Sequence, residues 1–331
     1  MEALTQFLQT IPGALILLVV GFVFLVKGAD FFVDGASNVA KRLRIPAMII
    51  GLTIVAMGTS LPETAVSISA SMQGSNSLAI SNVTGSNIFN LMVVVGLCAI
   101  MRTIKVEAET IKRDIPISLG AAALMLAFSY TSGIVGHVEG IILAVLFIGY
   151  ICLMIRSALK ARNGEHVQPG TDEEEVVKQS VIVSIICIVG GACAIALGGD
   201  WVVDAASTIA LKLGMTETLI GLTIVAVGTS LPELVTSIVA ARKNEVEMAL
   251  GNAIGSNIFN ILMVIGVAAL ISPIDLTATL MNNILDIVVL IVCTIVVWLM
   301  VFKSKKLNRP MGVFMVLVYV AYMAYIIIRD M

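Results

Sequence analysis

Gly51-Leu-Thr-Ile-Val-Ala-Met-Gly-Thr-Ser-Leu-Pro-Glu-Thr64 recurs 170 residues later as Gly221-Leu-Thr-Ile-Val-Ala-Val-Gly-Thr-Ser-Leu-Pro-Glu-Leu234, changed at two of fourteen positions. The same shift lays Gly85-Ser-Asn-Ile-Phe-Asn90 over an identical string at Gly255 to Asn260, and Asp30 and Asp34 over Asp200 and Asp204. Apolar composition alone does not reproduce polar, glycine-punctuated strings at one fixed offset. The chain is therefore an internal repeat, aligned without a gap.

The surroundings of these strings are membrane-like. Of 331 residues, 59% are apolar and 13% charged, and the mean hydropathy is +1.04. Soluble domains hold about 25% charged residues. A bilayer core about 30 Å thick needs about 20 residues per helix. On that measure ten spans are expected, at 12–34, 45–71, 77–101, 114–131, 138–157, 180–203, 215–241, 247–271, 284–302 and 311–328. The fold class expected is an all-α membrane protein of ten transmembrane helices, arranged as two inverted five-helix repeats. The repeats are 1–157 and 180–331, joined by a cytoplasmic linker at 158–179 that carries the acidic run Asp172 to Glu175. The linker is too short to hold a regulatory domain. Five spans per half is an odd number, so the second half enters upside down, an arrangement found in transporters with midplane sites on interrupted helices.

Basic residues orient the spans. With the N-terminus outside, 17 of the 20 Lys and Arg fall in cytoplasmic connections, as the positive-inside rule requires. Both termini are then outside, and Lys303 to Arg309 anchors the topology. The first 26 residues contain no Lys or Arg, unlike the basic start of a signal peptide. The net charge of −2 gives no reason to expect a nucleic-acid partner. The five cysteines lie in apolar stretches without a CxxC pair, and His137 and His166 lie in expected loops, so neither a disulfide framework nor a zinc site is expected.

Glu63 and Glu233 are the only carboxylates deep inside expected spans, at the same repeat position. A charge there costs about 2.5–3.5 kcal/mol even on lenient insertion scales, which marks a functional residue. Thr59, Ser60 and Ser67 fall on the face of Glu63 at helical spacing, and Thr229, Ser230 and Ser237 on that of Glu233. Pro62 and Pro232 each displace the carbonyl four residues back, at Gly58 and Gly228, and so break their helices beside the acids. The third and eighth spans add Asn82, Ser86 and Asn90, and Asn252, Ser256 and Asn260, again four apart. Every candidate ligand is an oxygen, which suits hard cations such as Ca²⁺ rather than zinc or copper. Two carboxylates match one divalent or two monovalent ions in charge, the physical basis for exchange. The Gly-Thr-Ser strings have no His or Lys at matching depth to serve as a base, so no enzyme is expected. Asp30, Asp34, Asp200 and Asp204 are read as helix-end hydrogen-bonding residues.

The paired Gly-Thr-Ser-Leu-Pro-Glu and Gly-Ser-Asn-Ile-Phe-Asn strings resemble the two alpha-repeats of the calcium/cation antiporter superfamily, in its bacterial sodium/calcium exchanger branch, over nearly the whole chain. The resemblance implies an antiporter that exchanges Ca²⁺ for Na⁺ by alternating access, two outer helices sliding across a rigid core. Ca²⁺ and Na⁺ are then transported substrates, with no bound cofactor. It implies a bacterial cytoplasmic (inner) membrane location, the lipid bilayer as surroundings, and no obligate protein partner. Its acidic ligands fall on Glu63 and Glu233, and its hydroxyl ligands on Thr59, Ser60, Thr229 and Ser230. Its third- and eighth-helix ligands fall on Ser86, Asn90, Ser256 and Asn260, and its backbone carbonyl ligands on Ala56 and Ala226. Several family members carry Asp at one of the positions held here by Asn90 and Asn260, so this chain has two acids where they have three. The large cytosolic regulatory region of animal exchangers is absent. The alternatives are a proton-coupled antiporter for Ca²⁺ or another divalent cation, and a cation channel.

Overall fold

The computed structural model describes residues 7–73, 76–162, 180–215, 220, 224 and 226–330. Nearly all of them are helical. The helices are α1 (Ile11–Leu43), α2 (Ala47–Thr59), α3 (Leu61–Met72), α4 (Leu78–Met101), α5 (Thr110–Thr131), α6 (His137–Arg162) and α7 (Val181–Lys212). They continue as α8 (Ala226–Gly228) and α9 (Leu231–Arg242), then α10 (Val246–Ile271), α11 (Thr277–Ser304) and α12 (Arg309–Arg329). Among the described residues, eight of these are long and apolar enough to cross a bilayer, and the bent pair α2–α3 makes a ninth crossing. The span expected at 215–241 lies partly outside the described residues, and its described part is α8 and α9.

α1 and α7 outrun their expected ends at 34 and 203 by nine residues each. At 1.5 Å per residue the 33 residues of α1 reach about 50 Å, more than the core is thick, so the helix tilts or protrudes. Local chemistry sets its ends. The Thr10 hydroxyl accepts from the Gly13 N–H, and Arg44 closes the helix in the left-handed region at φ 54° before Pro46. α6 likewise runs on to Arg162, past the linker start expected at 158.

α1 and α7 lie against each other in opposite directions along a stripe of small residues. Ala14, Gly21, Gly28 and Gly35 are seven apart, as are Ser184, Gly191, Gly198 and Ala205. A Cβ on Gly28 would stand 2.9 Å from the Ala194 Cβ and the Ile195 nitrogen, and one on Gly198 would stand 2.7 Å from the Gly21 oxygen. In lipid, where no hydrophobic drive brings helices together, small residues let backbones approach and gain dispersion contacts.

The centre belongs to α4 and α10. Each has 78% of its apolar window buried, against 17–39% for the other long spans. They meet through a reciprocal pair of bonds: the Asn87 amide donates to the Asn257 carbonyl at 3.1 Å and the Asn257 amide to the Asn87 carbonyl at 3.0 Å. Two short antiparallel strand pairs tie the connections. β1 (Ile104–Lys105) pairs with β4 (Lys306–Leu307), and β2 (Ile134–Val135) with β3 (Ile274–Asp275).

Candidate cation site

The α2–α3 helix breaks at Ser60, whose φ of −83° and ψ of 10° leave the helical region, and the axis turns by 48°. Pro62 follows in the first turn of α3, where its missing N–H costs nothing. Ser230 repeats the break at φ −95° and ψ 5° ahead of α9, with Pro232 in the same role. Each break puts one acid, Glu63 or Glu233, in the first turn of a new helix. There the positive end of the helix dipole faces the carboxylate. Thr59 and Ser60 therefore do not share one straight helical face with Glu63, and the Ser60 hydroxyl donates instead to Glu233 of the other half at 3.0 Å.

Both carboxylates are fully buried, and among the described residues neither has an ion-pair partner. Hydroxyls surround them in a two-fold pattern. Ser86 donates to Glu63 Oε1 at 3.2 Å, and Ser230 from the other half lies 3.4 Å from the same oxygen. Ser256 donates to Glu233 Oε1 at 3.5 Å, and Ser60 from the first half at 3.0 Å. Each acid is thus held by one serine of its own half and one of the other. Oε2 of both acids has no hydrogen-bond partner. Lys27, the one basic residue expected within the first span, is exposed on α1 and leaves the acids uncompensated.

Asn90 and Asn260 are both fully buried, at the start of π-helical turns Asn90–Val94 and Asn260–Ile265, a distortion frequent at functional sites. Asn90 has neither amide atom bonded, and Asn260 leaves its Oδ1 bare. The Asn260 amide instead donates to Asn87 Oδ1 at 3.1 Å and approaches Ser86 at 3.4 Å. Buried polar atoms left without partners need an explanation such as an absent ion. All of these bare atoms but the Asn90 amide nitrogen are acceptors. A second gap, in the helical ladder at Gly51–Val55, precedes Ala56. The Ala56 carbonyl lies 3.4 Å from the Thr59 hydroxyl. Ala226 opens α8, and its side chain lies outside what is described.

The sequence placed Ser67 and Ser237 beside the acids. Each does follow its acid on one helix, α3 or α9, but its hydroxyl is bonded to an asparagine: Ser67 accepts from the Asn82 amide at 3.1 Å and Ser237 from the Asn252 amide at 3.0 Å. Asn87 and Asn257 went unremarked in the sequence, although they sit inside the repeated Gly-Ser-Asn-Ile-Phe-Asn string. Asp30 and Asp34 lie away from the site, where Lys243 Nζ reaches Asp34 Oδ1 at 2.8 Å and Asp30 Oδ1 at 3.4 Å. Because α1 continues to Leu43, the two acids sit within the helix and not at its end, and they tie it to the residue after α9.

Two buried acids ringed by hydroxyl, amide and carbonyl oxygens, and by no nitrogen base, can hold and release a hard cation. The profile described as "Sodium/calcium exchanger protein" matches residues 13–156 and 183–328. The chain belongs to the sodium/calcium exchanger family. Within the family it is 34% identical over 340 aligned positions to the sodium/calcium exchanger MaX1 of Methanosarcina acetivorans, covering 93% of this chain and 97% of that one. It is also 34% identical to the inner membrane protein YrbG of Escherichia coli, over 93% of this chain and 95% of that one. Among solved structures it superposes on the sodium-calcium exchanger NCX_Mj soaked with Na⁺ and Sr²⁺ at a TM-score of 0.81 and 30% identity, covering 95% and 99% of the two chains. Members of this family are membrane-embedded exchangers, and this exchanger-family chain carries its repeated motifs at the point where the two acids meet.

Proposed function

We propose that this protein is a secondary active antiporter that exchanges Ca²⁺ for Na⁺ by alternating access. Its site is at the midplane, between two inverted five-helix repeats that make ten spans. The observation that carries the reading is the pair Glu63 and Glu233: fully buried, with no ion-pair partner among the described residues, each keeping one oxygen bare. One Ca²⁺ or two Na⁺ neutralise the pair equally, while the empty, doubly charged pair resists crossing. That rule alone couples the two fluxes. The ligands we assign are Glu63, Glu233, Thr59, Ser60, Thr229, Ser230, Ser86, Ser256, Asn90 and Asn260, with the carbonyls of Ala56 and Ala226.

The strand pairs support the inversion. β1 and β2 flank the single span α5, so they stand on opposite faces of the membrane. β3 pairs with β2 and shares its face. Yet β3 is the repeat equivalent of β1, since 104 plus 170 is 274. Equivalent connections thus stand on opposite faces. The reciprocal Asn87–Asn257 bonds are what a two-fold axis in the membrane plane would create. Charge supports the orientation. The β1–β4 face carries Arg102, Lys105, Lys306 and Arg309, whereas the turns around β2 and β3 carry no Lys or Arg. The face with β1 and β4 is cytoplasmic, and both termini are outside a bacterial inner membrane.

The test is radioactive Ca²⁺ uptake into sodium-loaded proteoliposomes, with and without an outward sodium gradient. Gradient-driven uptake that is lost in Glu63→Gln and in Glu233→Gln is the expected result. Uptake indifferent to sodium but driven by a pH gradient refutes sodium coupling in favour of proton coupling. Conductance without counter-transport refutes the antiporter.

A further inference from the structure

A threonine hydroxyl has one proton, and to ligate a cation it must turn its lone pairs to the ion and its proton elsewhere. In a helix that proton normally goes to the carbonyl three or four residues back. Three other helical threonines here do so at short distance: Thr53 to Ile49 at 2.7 Å, Thr64 to Ser60 at 2.7 Å and Thr294 to Leu290 at 2.8 Å. Thr59 does not. Its hydroxyl is 3.4 Å from the Ala56 carbonyl but 3.1 Å from Asn252 Oδ1, on the other half of the chain. Thr229 repeats the pattern, with Asn82 Oδ1 at 3.3 Å.

We propose that Asn82 and Asn252 are positioning residues: each takes the proton of the opposite half's threonine, leaving the lone pairs of Thr229 and Thr59, and the Ala56 carbonyl, turned to the cation. The inference rests on reading the cluster as a cation site. The amides are themselves fixed. Asn252 donates to Ser237 Oγ at 3.0 Å and approaches the Glu233 carbonyl at 3.4 Å, and Asn82 donates to Ser67 at 3.1 Å. Each therefore presents Oδ1, not its NH₂, to the threonine. This also gives Ser67 and Ser237 their task. A cation at Glu233 repels the Thr59 proton, and the neutral Asn252 oxygen is the acceptor that leaves every ligand in place. Since donor and acceptor come from different halves, loading the ion draws the halves together through two crossed bonds.

The test is a double-mutant cycle read by calorimetric Ca²⁺ binding to the purified protein in detergent without sodium. Asn252→Leu keeps the size and removes the acceptor. It should weaken binding about tenfold, the scale of one well-placed hydrogen bond, as should Thr59→Val. The double variant should bind no more weakly than the worse single one, because Asn252 acts through Thr59. Losses that multiply, or an Asn252→Leu protein that binds as the unaltered chain does, overturn the inference. Asn82→Leu with Thr229→Val runs the same cycle should Asn252→Leu fail to fold. An unaltered chain that binds no Ca²⁺ overturns the cation-site reading and this inference with it, whereas normal binding with an additive cycle overturns this inference alone.

Discussion

Replacing Glu63 by Gln should separate the stability of the empty protein from its response to Ca²⁺. The isostere sheds a midplane charge that costs about 2.5–3.5 kcal/mol. It also weakens the charge-assisted bonds from Ser86 and Ser230, by about 1 kcal/mol each, the difference between charged and neutral acceptors. The ion-free protein should therefore change by only about 1 kcal/mol, toward greater stability. Ca²⁺ binding should change far more. Losing one unit charge about 4 Å from a divalent ion, at an effective dielectric near 20, forfeits about 8 kcal/mol, or about six decades of affinity. At a Ca²⁺ concentration a hundredfold above its Kd the unaltered protein gains about 2.7 kcal/mol of stability. At the same concentration Glu63→Gln sits about four decades below its own Kd and gains no measurable stability. Thermal unfolding in detergent, with Ca²⁺ titrated into sodium-free buffer, reads both numbers. Glu233→Gln should behave alike, because its serines stand in the same crossed arrangement. A Glu63→Gln protein that keeps most of the Ca²⁺-dependent rise would refute the assignment of charge to this pair.

Gly28→Leu should push α1 from α7, since even its Cβ meets backbone at 2.9 Å. A loss of about 1–3 kcal/mol and of uptake is expected, checked by thermal unfolding and flux, and unchanged values would deny that the close approach matters. Lys243→Gln removes contacts to Asp30 and Asp34 that are about one-third to one-half exposed, so unfolding should shift by less than about 1 kcal/mol. Arg329 grips Asp286 through two bonds at 2.9 and 3.2 Å, both side chains being largely buried. Asp286→Leu alone should cost about 3 kcal/mol by removing the carboxylate that the largely buried guanidinium bonds twice, and the Asp286→Leu/Arg329→Leu pair distinctly less, as unfolding of the two variants side by side will tell.

The acids, the breaks and the helices that carry them could be read in the sequence because the membrane makes each expensive. A carboxylate or a proline inside an apolar span stands out against its surroundings, and its recurrence 170 residues on removes coincidence. Helix ends were harder. The last turns of α1, from Asp34 to Leu43, leave the hydrocarbon and lose their apolar signature while staying helical. Hydrogen-bond partners could not be read at all. Spacing put Ser67 on the face of Glu63, but the approach of α4 gives its hydroxyl the Asn82 amide as partner. Nothing local to Asn87 announces that it exchanges bonds with its own repeat equivalent, because that contact exists only where the two halves meet.

The two halves are alike at the centre and unlike at the ends. Around the acids the serine and threonine bonds have their counterparts: Ser60 to Glu233 beside Ser230 to Glu63, Thr59 to Asn252 beside Thr229 to Asn82. At the end of α9, Lys243 joins α1 through Asp30 and Asp34, and Ser37 donates to Glu245 at 2.6 Å. The repeat equivalents of Lys243 and Glu245 are Gln73 and Ser75, which carry no charge to meet Asp200 and Asp204. At that end a cavity of about 600 Å³ runs along α3 from Gln73 and Asp200 down to Pro62, next to Glu63. On the alternating-access reading, paired serine and threonine bonds at the centre give the ion similar affinity in the two orientations, and a ligand that binds both states equally shifts neither. The preference for one orientation must then come from the ends, where one is tied and the other opens toward the acid. On the alternating-access reading proposed above, a tie that is half-exposed and worth little biases the equilibrium without freezing it.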